Sequence, residues 1–149
     1  MNKPLKRHNA LHSLSHDHHH GLVLAQLAKK SSPEYTNLPK TTEDKIKYAI
    51  SFYNDELVRH FRNEEEILFP VVKGKDEKVD NLIDEIIDEH IKMKELIKSL
   101  RIITDSEDML DEFGCLLESH IRKEERELFK MIQNILTEEE LNLIGNKLK

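Results

Sequence analysis

Four stretches of this chain carry apolar residues at alternating three- and four-residue spacing, the pattern of helices that bury one face. Each stripe is interrupted near its middle by a histidine, and two of the four are interrupted by a glutamate as well. The stripes read Leu11, Leu14, His18, Leu22 and Ala25; Ile46, Ile50, Tyr53, Leu57, His60, Glu64, Ile67 and Val71; Ile83, Ile86, His90, Met93, Ile97 and Leu100; and Leu110, Phe113, Leu117, His120, Glu124, Leu128, Met131 and Ile135. Four such helices with short connections predict an all-α fold, an antiparallel up-down four-helix bundle.

The ends of the helices are predicted from capping residues, prolines and glycines. The first helix is expected over about 7–30, the second over about 41–69 with a stop near Pro70, the third over about 78–103, and the fourth up to about 136. Thr137, followed three residues later by Glu140, is a capping box that predicts a short C-terminal helix. The chain is expected to form one domain, residues 1–149, with the bundle core at about 8–136.

The composition excludes several classes of protein. The formal net charge is -6 and no long basic block is present, so nucleic acid is not expected as a partner. No apolar run approaches the ~20 residues that span a bilayer, so no membrane partner is expected either. The single cysteine, Cys115, excludes an internal disulfide and any cysteine-rich zinc or iron–sulfur site, and it favours a cytoplasmic protein.

Two of the helices repeat the same pair of ionisable residues. His60 and Glu64 recur as His120 and Glu124 in similar surroundings, and each pair lies one helical turn apart. All four occupy positions where the apolar stripe calls for Leu or Ile, and ionisable groups that face a core are costly unless they have a partner. The same costly feature occurring twice predicts one shared partner, a pair of metal ions.

The other two helices contribute one histidine each. Asp17 precedes His18 in the first helix and Glu89 precedes His90 in the third, so the bundle can be interpreted as a duplication of two halves. Apolar residues lie seven and four positions before both histidines, which favours His18 over the neighbouring histidines at 16, 19 and 20 as the inward-facing residue. These neighbours stay open as alternatives.

Imidazole and carboxylate donors together suit iron, manganese, zinc or nickel. Side chains four residues apart point in similar directions on a helix, so each histidine can bind one ion while its glutamate bridges to a second. Two such pairs and the two remaining histidines give four terminal imidazoles and two bridging carboxylates, around ions that usually lie ~3.5–4 Å apart. A bridging oxide or hydroxide could offset part of the remaining positive charge.

Four segments carry a resemblance to a known family: Leu14-Ser15-His16-Asp17-His18-His19, His60-Phe61-Arg62-Asn63-Glu64-Glu65, Asp88-Glu89-His90 and His120-Ile121-Arg122-Lys123-Glu124-Glu125. In these segments the chain resembles the hemerythrin-like family, also called the HHE cation-binding domain. The resemblance implies an up-down four-helix bundle that encloses a non-haem di-iron centre, with two iron ions as the cofactor. It also implies metal ligands at His18, His60, Glu64, His90, His120 and Glu124.

The resemblance to the oxygen-carrying hemerythrins is incomplete. Those proteins have a second histidine one turn after the histidine of the third helix, where this chain has Lys94. They also place an aspartate five residues after the histidine of the fourth helix, where this chain has Glu125, so Glu124 and Glu125 both stay open as ligands. The leading hypothesis is therefore a protein that binds or senses oxygen or nitric oxide, handles iron, or repairs iron–sulfur clusters, rather than a reversible oxygen carrier.

Other functions stay open at this point. A di-iron enzyme, acting as a ferroxidase or on peroxide, would use the coordination position that the missing imidazole leaves. Zinc or nickel could instead bind an N-terminal histidine ladder, although a polar solvated face is preferred for its members, His8, His12, His16 and His20. The sequence names neither a partner protein nor an oligomeric state, and it leaves the metal and the small ligand open.

Residues beside the predicted site have expected roles of their own. Glu56, one turn before the second helix's histidine, is a candidate extra ligand or a carboxylate that orients an imidazole. Cys115 is expected to be a small buried apolar residue. A solvated flank is expected for Glu65, Glu66, Glu125 and Glu127.

Overall fold

The computed structural model describes residues 6–149, which contain helices and no β-strand, so the predicted all-α class is confirmed for them. The predicted domain also includes residues 1–5, which lie outside the described residues. A short 3-10 turn, Asn9–Leu11, leads into helix α1, His12–Ala28. Helix α2 covers residues 42–72, α3 is Glu77–Ile102, α4 covers residues 107–135, and α5 is Glu138–Leu148.

Polar side chains begin four of these helices at the positions that the sequence predicts or close to them. Each side-chain oxygen accepts a hydrogen bond from the backbone N–H three residues further on, which satisfies one of the free donors at a helix start. The predicted capping box of α5 is confirmed, because Glu140 also accepts from the N–H of Thr137. The capping residues are Thr41, Asp76, Ser106 and Thr137.

Two separate apolar cores lie along the helices. The first core consists of Ala10, Leu11, Leu14, Leu68, Phe69, Val72, Val79, Ile83, Ile86, Leu128, Phe129, Ile132, Leu136, Leu141 and Ile144. The second core consists of Leu24, Ala25, Ala28, Ile46, Ala49, Tyr53, Leu57, Phe61, Met93, Ile97, Leu100, Leu110, Phe113, Leu117 and Ile121. Each of the four long helices contributes to both cores, and its buried polar residues lie at or next to the boundary between the two contributions.

Wide π-helical turns interrupt α2 and α4. Helix α2 is built from Thr42–Phe52, Val58–Asn63 and Phe69–Val72, separated by the π-helical segments Tyr53–Leu57 and Glu64–Leu68. Helix α4 is built from Glu107–Lys123 and Phe129–Ile135, separated by the π-helical segment Glu124–Leu128. Two of these wide turns therefore begin at the glutamates of the repeated pair, and π turns are frequently found at functional sites.

The π turns shift the apolar face of each helix by one residue. The regular spacing predicts burial of Ile67 and Val71 in α2, but the structure buries Leu68 and Val72 instead. In α4 the same displacement replaces the predicted Met131 with Ile132. A π turn contains one more residue than an α turn, so every residue after it is rotated relative to the regular helix.

The predicted end of α2 near Pro70 is too early, because the helix continues to Val72. Proline disturbs a regular helix because it lacks an N–H and its ring contacts the carbonyl four residues earlier. Pro70 lies two residues after Leu68, the last residue of the π-helical segment, where the hydrogen-bond ladder is already altered. The wide turn therefore accommodates the ring without ending the helix.

The prediction that Cys115 is buried is wrong, since its side chain is exposed. Helix α4 turns Phe113 and Leu117 into the second core. A residue midway between two such positions lies on the opposite face of a helix. The Sγ atom of Cys115 accordingly lies on the outer face, 4.0 Å from Oδ1 of Asp111.

Helices α1 and α4 approach closely because small residues lie between them. A Cβ atom added at Gly114 would lie 2.8 Å from the carbonyl oxygen of Ala25 and 2.8 Å from Cβ of Ala28. A Cβ atom added at Gly21 would lie 2.8 Å from the Cδ1 atom of Ile121. The two helices are therefore in direct contact on the second-core side of the polar interruptions.

Among residues 6–149, no helix combines the length and the apolar character needed to cross a lipid bilayer.

Candidate metal centre

Six ionisable side chains form a buried layer between the two apolar cores. Each of the four long helices contributes one imidazole, and α2 and α4 contribute one carboxylate each. Their exposed fractions are 3% for His18, 2% for His60, 0% for Glu64, 5% for His90, 0% for His120 and 0% for Glu124. All six predicted site residues are therefore brought together, and His18 rather than the exposed histidines at 16, 19 and 20 faces inward.

The six side chains fall into two groups that share both carboxylates. His18 and His60 form one group with Glu64 and Glu124, and the remaining two imidazoles form the other group with the same two carboxylates. In each group, one donor atom of every residue lies within 4.8 Å of those of the other residues. Because Glu64 and Glu124 belong to both groups, each could serve as a negatively charged ligand to two neighbouring cations.

Distances within the layer show how the carboxylates reach both groups. The Oε1 atom of Glu64 lies 3.5 Å from Nε2 of His60 and 3.2 Å from Nε2 of His90. The Oε1 atom of Glu124 lies 2.7 Å from Nε2 of His120 and 3.8 Å from Nε2 of His18. Each carboxylate thus contacts one imidazole from either group.

Unsatisfied polar atoms are concentrated in this layer. Among residues 6–149, seven buried side-chain nitrogen and oxygen atoms have no partner in hydrogen-bond geometry, and six of the seven belong to the layer. The Nε2 atoms of His90 and His120 lie 3.2 and 2.7 Å from carboxylate oxygens, but neither contact has the geometry of a hydrogen bond. Such atoms are costly to bury without a partner, and the large majority of buried polar atoms in proteins have one. Metal ions would supply the missing partners of Nε2 of His90 and His120 and of both oxygens of Glu64 and Glu124.

The remaining pair of imidazoles is compatible with a metal ion as well. Nε2 of His18 lies 3.1 Å from Nε2 of His60, while both Nδ1 atoms face carboxylates. A neutral imidazole that donates from Nδ1 has only a lone pair on Nε2, so two such nitrogens facing each other repel. Either one ring is protonated, or a cation receives both lone pairs.

A carboxylate lies behind every imidazole of the layer, at 2.7 to 3.0 Å from its Nδ1 atom. An Nδ1–H donated outward leaves the Nε2 lone pair directed into the layer, which fixes the tautomer that a metal ligand needs. The pairs are His18 with Glu125, His60 with Asp17, His90 with Glu65, and His120 with Glu89.

Cations support three of these four outer carboxylates. Arg7 lies 2.9 Å from Glu125, and Lys123 lies 2.8 Å from Glu89. Arg59 approaches Asp17 at a longer distance of 3.8 Å. In the part of the chain that the structure describes, no Lys or Arg pairs with the fourth outer carboxylate, Glu65.

The protonation states follow from burial and neighbouring charge. Burial alone would raise the pKa of the Glu64 carboxyl, but the positive charge of His60 and the neighbouring His90 and His120 together outweigh it and lower the pKa to about 2. Burial lowers the pKa of the His120 imidazole to about 4, and it lowers the pKa of His18 as well. The layer therefore combines an ionised carboxylate with neutral imidazoles at these two positions, the forms that bind metal ions.

The family comparison matches this geometry. The family model described as the hemerythrin HHE cation binding domain matches residues 8–132, most of the chain. This chain belongs to the hemerythrin HHE cation-binding family. Membership in a cation-binding family and a buried layer of imidazoles and carboxylates are both compatible with metal binding by this domain.

A curated protein is also similar to this hemerythrin-family chain. It comes from Nostoc sp. (strain PCC 7120 / SAG 25.82 / UTEX 2576), is named DNA nickase, and is 29% identical over 111 residues. The match covers 71% of this chain and 31% of the Nostoc protein, so this chain spans about a third of that relative's length. No solved structure matches the chain.

Other candidate metal-binding residues from the sequence lie outside the buried layer of this hemerythrin domain. Glu56 is exposed, and its Oε2 atom pairs with Arg59 at 2.9 Å, so neither expected role holds in the structure. His8 begins the 3-10 turn and its Nε2 atom lies 2.8 Å from Glu138. The other members of the histidine ladder, at 12, 16 and 20, are exposed, as expected for a solvated face.

The sequence interpretation missed the outer carboxylates. Glu65 and Glu125 were expected on a solvated flank, but each accepts a hydrogen bond from an imidazole of the layer. Asp17 and Glu89 served only to align the two halves of the chain. The available signal was adjacency, because each outer carboxylate is the immediate neighbour of a candidate ligand in the sequence.

Proposed function

We propose that this protein is a non-haem di-iron protein that binds or senses a small diatomic ligand, oxygen or nitric oxide, or handles iron. The proposed ligands are His18, His60, Glu64, His90, His120 and Glu124, with two iron ions and a bridging oxide or hydroxide. The observation that carries the proposal is the sharing of both carboxylates between two groups of imidazoles. Shared carboxylates are how helical bundles hold two metal ions side by side.

The proposal includes an up-down arrangement of the four long helices within a single domain. The order in which each helix contributes to the two cores supports it. Along the chain, α1 passes from the first core to the second, α2 from the second to the first, α3 from the first to the second, and α4 from the second to the first. Such alternation is the pattern of antiparallel neighbours joined by short connections.

The donor set is compatible with iron, and the family resemblance is the reason to choose iron among the metals that the site could bind. Mixed imidazole and carboxylate donors suit iron, manganese, zinc and nickel, and the resemblance of the sequence to hemerythrins favours iron. Four imidazoles and two shared carboxylates leave coordination positions for an external ligand. This supports ligand binding or sensing, and the lone exposed Cys115 is compatible with a cytoplasmic location.

Iron content is the decisive measurement. Protein reconstituted anaerobically with ferrous iron and then desalted should retain two iron ions per chain, one for each group of donors. Glu64→Ala should lose both ions because this carboxylate belongs to both groups. Glu66→Ala, an exposed glutamate of the same π turn, is the matched control and should retain both.

An optical spectrum then separates a binding protein from an inert one. Iron-loaded protein should change its absorption when oxygen or nitric oxide is added, and His120→Gln should abolish the change while the exposed control His19→Gln preserves it. The proposal fails when wild-type protein, both as purified and after reconstitution, lacks stoichiometric iron.

A second candidate is a di-iron oxidase, acting as a ferroxidase or on peroxide. Lys94, exposed and one turn after His90, favours it, because this position supplies no third imidazole to that group. An enzyme of this kind needs an open coordination position. Steady-state consumption of ferrous iron, oxygen or peroxide by the loaded protein would support it, and binding without turnover would refute it. The activity named for the Nostoc relative is not included, because this chain spans only 31% of that protein.

A further inference from the structure

A surface cavity between α1 and α2 contains a further set of imidazoles and carboxylates. Its volume is about 470 Å³, and α1 contributes His16, Asp17 and His20 to its walls. Helix α2 contributes Asp55 and Glu56. All six residues of the buried layer lie outside these walls. The two helices therefore bring metal-binding side chains together a second time, at a place that is open to solvent.

The two histidines have the spacing of a metal-binding pair on a helix. His16 and His20 are four residues apart in α1, so their side chains lie on one face. Their ring centroids are 5.0 Å apart, and both side chains are exposed. Histidines at this spacing on one helical face can bind the same zinc ion. The pair therefore supplies two of the ligands that a zinc site needs.

Only this half of the histidine ladder is free to bind a metal. The Nε2 atom of His8 lies 2.8 Å from the Glu138 carboxylate, and Nε2 of His12 lies 3.1 Å from the carbonyl oxygen of Arg7. Both of these histidines line a different cavity, beside α5. The structure thus divides the ladder into two histidines with protein partners and two that face α2.

The charges of the cavity favour a cation. Its walls contain three carboxylates, those of Asp17, Asp55 and Glu56, against one guanidinium, that of Arg59. Arg59 lies 2.9 Å from Glu56 and 3.8 Å from Asp17, whereas no Lys or Arg among residues 6–149 pairs with Asp55. A cleft lined by an excess of one charge attracts ions of the opposite sign. Asp55 is the carboxylate left available to bind such a cation.

The backbone of α2 departs from a regular helix beside this cavity. The π-helical segment Tyr53–Leu57 contains both acidic residues that α2 contributes to the walls, and it contributes no residue to the buried layer. The other two π-helical segments each begin at a carboxylate of the layer, Glu64 or Glu124. Because π turns are frequent at functional sites, the third one points to a site of its own.

We propose that His16, His20 and Asp55 form a surface site for one zinc ion, separate from the buried layer. Two imidazoles and one carboxylate give three protein ligands, and a water molecule completes the tetrahedral coordination that zinc prefers. Side chains from two helices take part, so bound zinc ties α1 to α2. The site does not depend on iron in the layer, and it is therefore tested separately from the proposed function.

Zinc stoichiometry is the first test. In equilibrium dialysis, wild-type protein should bind one zinc ion more per chain than His20→Gln protein, whatever the layer holds. His16→Gln should show the same loss. His19→Gln is the matched control and should bind as the wild type does, because His19 is exposed and its ring lies 5.8 Å from that of His20, but it is outside the cavity walls.

A second test asks whether α2 supplies a ligand. Asp55→Asn should weaken zinc binding at the surface site, whereas Asp44→Asn, at an exposed aspartate near the start of the same helix, should not. The measurement is made in Glu64→Ala protein, in which the layer has lost a carboxylate shared by both of its groups. Zinc should shift the ring-proton NMR signals of His16 and His20 in this protein.

The outcomes separate a defined site from a histidine-rich surface. Equal zinc stoichiometry in wild-type and His20→Gln protein overturns the inference. An equal loss in His19→Gln or His12→Gln also overturns it, because the whole ladder would then bind zinc without a defined site. Unaltered zinc affinity in Asp55→Asn overturns it as a site shared by two helices. Failure of the protein to retain iron refutes the proposed function alone, since none of these zinc measurements requires iron.

Discussion

The Nδ1 atom of His60 lies 3.0 Å from Oδ2 of Asp17, the residue immediately before His18. One helix therefore supplies an imidazole to the buried layer and, from the adjacent residue, an acceptor for the imidazole of the next helix. The second half of the chain repeats the relationship, since Glu89 accepts a hydrogen bond of 2.9 Å from Nδ1 of His120. The outer carboxylates thus tie the helices together in pairs while they orient the rings.

Replacing an outer carboxylate should weaken metal binding without removing a ligand. In Glu89→Gln the acceptor of His120 loses its charge, so the ring is held less firmly and is a weaker base. Metal affinity should fall by about 10–100-fold, measured by competition with a chelator of known affinity. Glu85→Gln is the matched control, because Glu85 also lies near Lys123, at 3.4 Å, but contacts no imidazole.

The repeat of the two halves predicts the same effect at the equivalent outer carboxylate, Asp17. Asp17→Asn should lower the affinity by a similar factor, since Asp17 occupies the equivalent place behind His60. Equal affinity of Asp17→Asn, Glu89→Gln and the wild type would show that the outer carboxylates do not orient the ligands.

The buried carboxylate of Glu124 should lower the stability of the metal-free protein. Both oxygens of Glu124 are buried without a hydrogen-bond partner, and methionine has a similar length with no polar atoms to satisfy. Glu124→Met should therefore raise the free energy of unfolding of metal-free protein by about 1–3 kcal/mol while it abolishes iron binding. Urea denaturation of chelator-treated protein measures the first effect, and lower stability than the wild type would contradict it. Glu127→Met, at an exposed site of the same helix, is the control.

Close packing of α1 against α4 can be tested at two glycines. In Gly114→Ala the new methyl group would lie 2.8 Å from the carbonyl oxygen of Ala25, so the backbones must separate, and the variant should lose about 1–3 kcal/mol of stability. Gly21→Ala meets only the flexible end of Ile121, which can turn aside, and should lose less. Thermal melts of the two variants side by side give the comparison, and equal melting temperatures would refute it.

The long helices and the six residues of the buried layer could be predicted from the sequence. Apolar periodicity identifies the helices, and the interruption of the stripe by histidine and glutamate identifies all six side chains that the structure brings together. Phase relative to the upstream leucines correctly selects His18 among four nearby histidines, because a regular helix holds this phase over two turns. The repeat of the two halves adds a second, independent copy of the same signal.

The parts that the sequence did not predict depend on departures from regular helix geometry. A π turn at Glu64 rotates all later residues of α2, so Leu68 rather than Ile67 is buried and Glu65 can reach His90. A 3.6-residue periodicity assumes that no such turn exists, and no local preference marks it. The sequence also leaves Glu124 and Glu125 open as ligands. In the structure Glu124 is buried and faces Nε2 of His120 inside the layer, whereas the partly exposed Glu125 faces Nδ1 of His18 from outside.

The pH dependence of metal-free protein should report the charge states of the buried imidazoles. Burial lowers the pKa of His120 from 6.5 to about 4, so between these values the unfolded chain binds a proton that the folded chain does not. Stability is therefore present in full above pH 6.5 and is lost as the pH falls toward 4. The contribution is on the order of 3 kcal/mol, because each pH unit of difference in pKa corresponds to about 1.4 kcal/mol.

His120→Gln should remove this part of the acid sensitivity, whereas His20→Gln, at an exposed position, should retain it.

The pKa of His60 should shift in the opposite direction. Burial alone would lower its pKa, but the charge of Glu64 and the hydrogen bond to Asp17 raise it above 6.5. Its contribution is present in full below pH 6.5 and is lost as the pH rises through the folded value, so His60→Gln should remove a loss of stability above pH 6.5 and leave the acid loss below 6.5 unchanged. Urea titrations of the three variants between pH 4 and 8 measure both effects, and a His60→Gln profile that matches the wild type above pH 6.5 would show that the two imidazoles do not differ in charge.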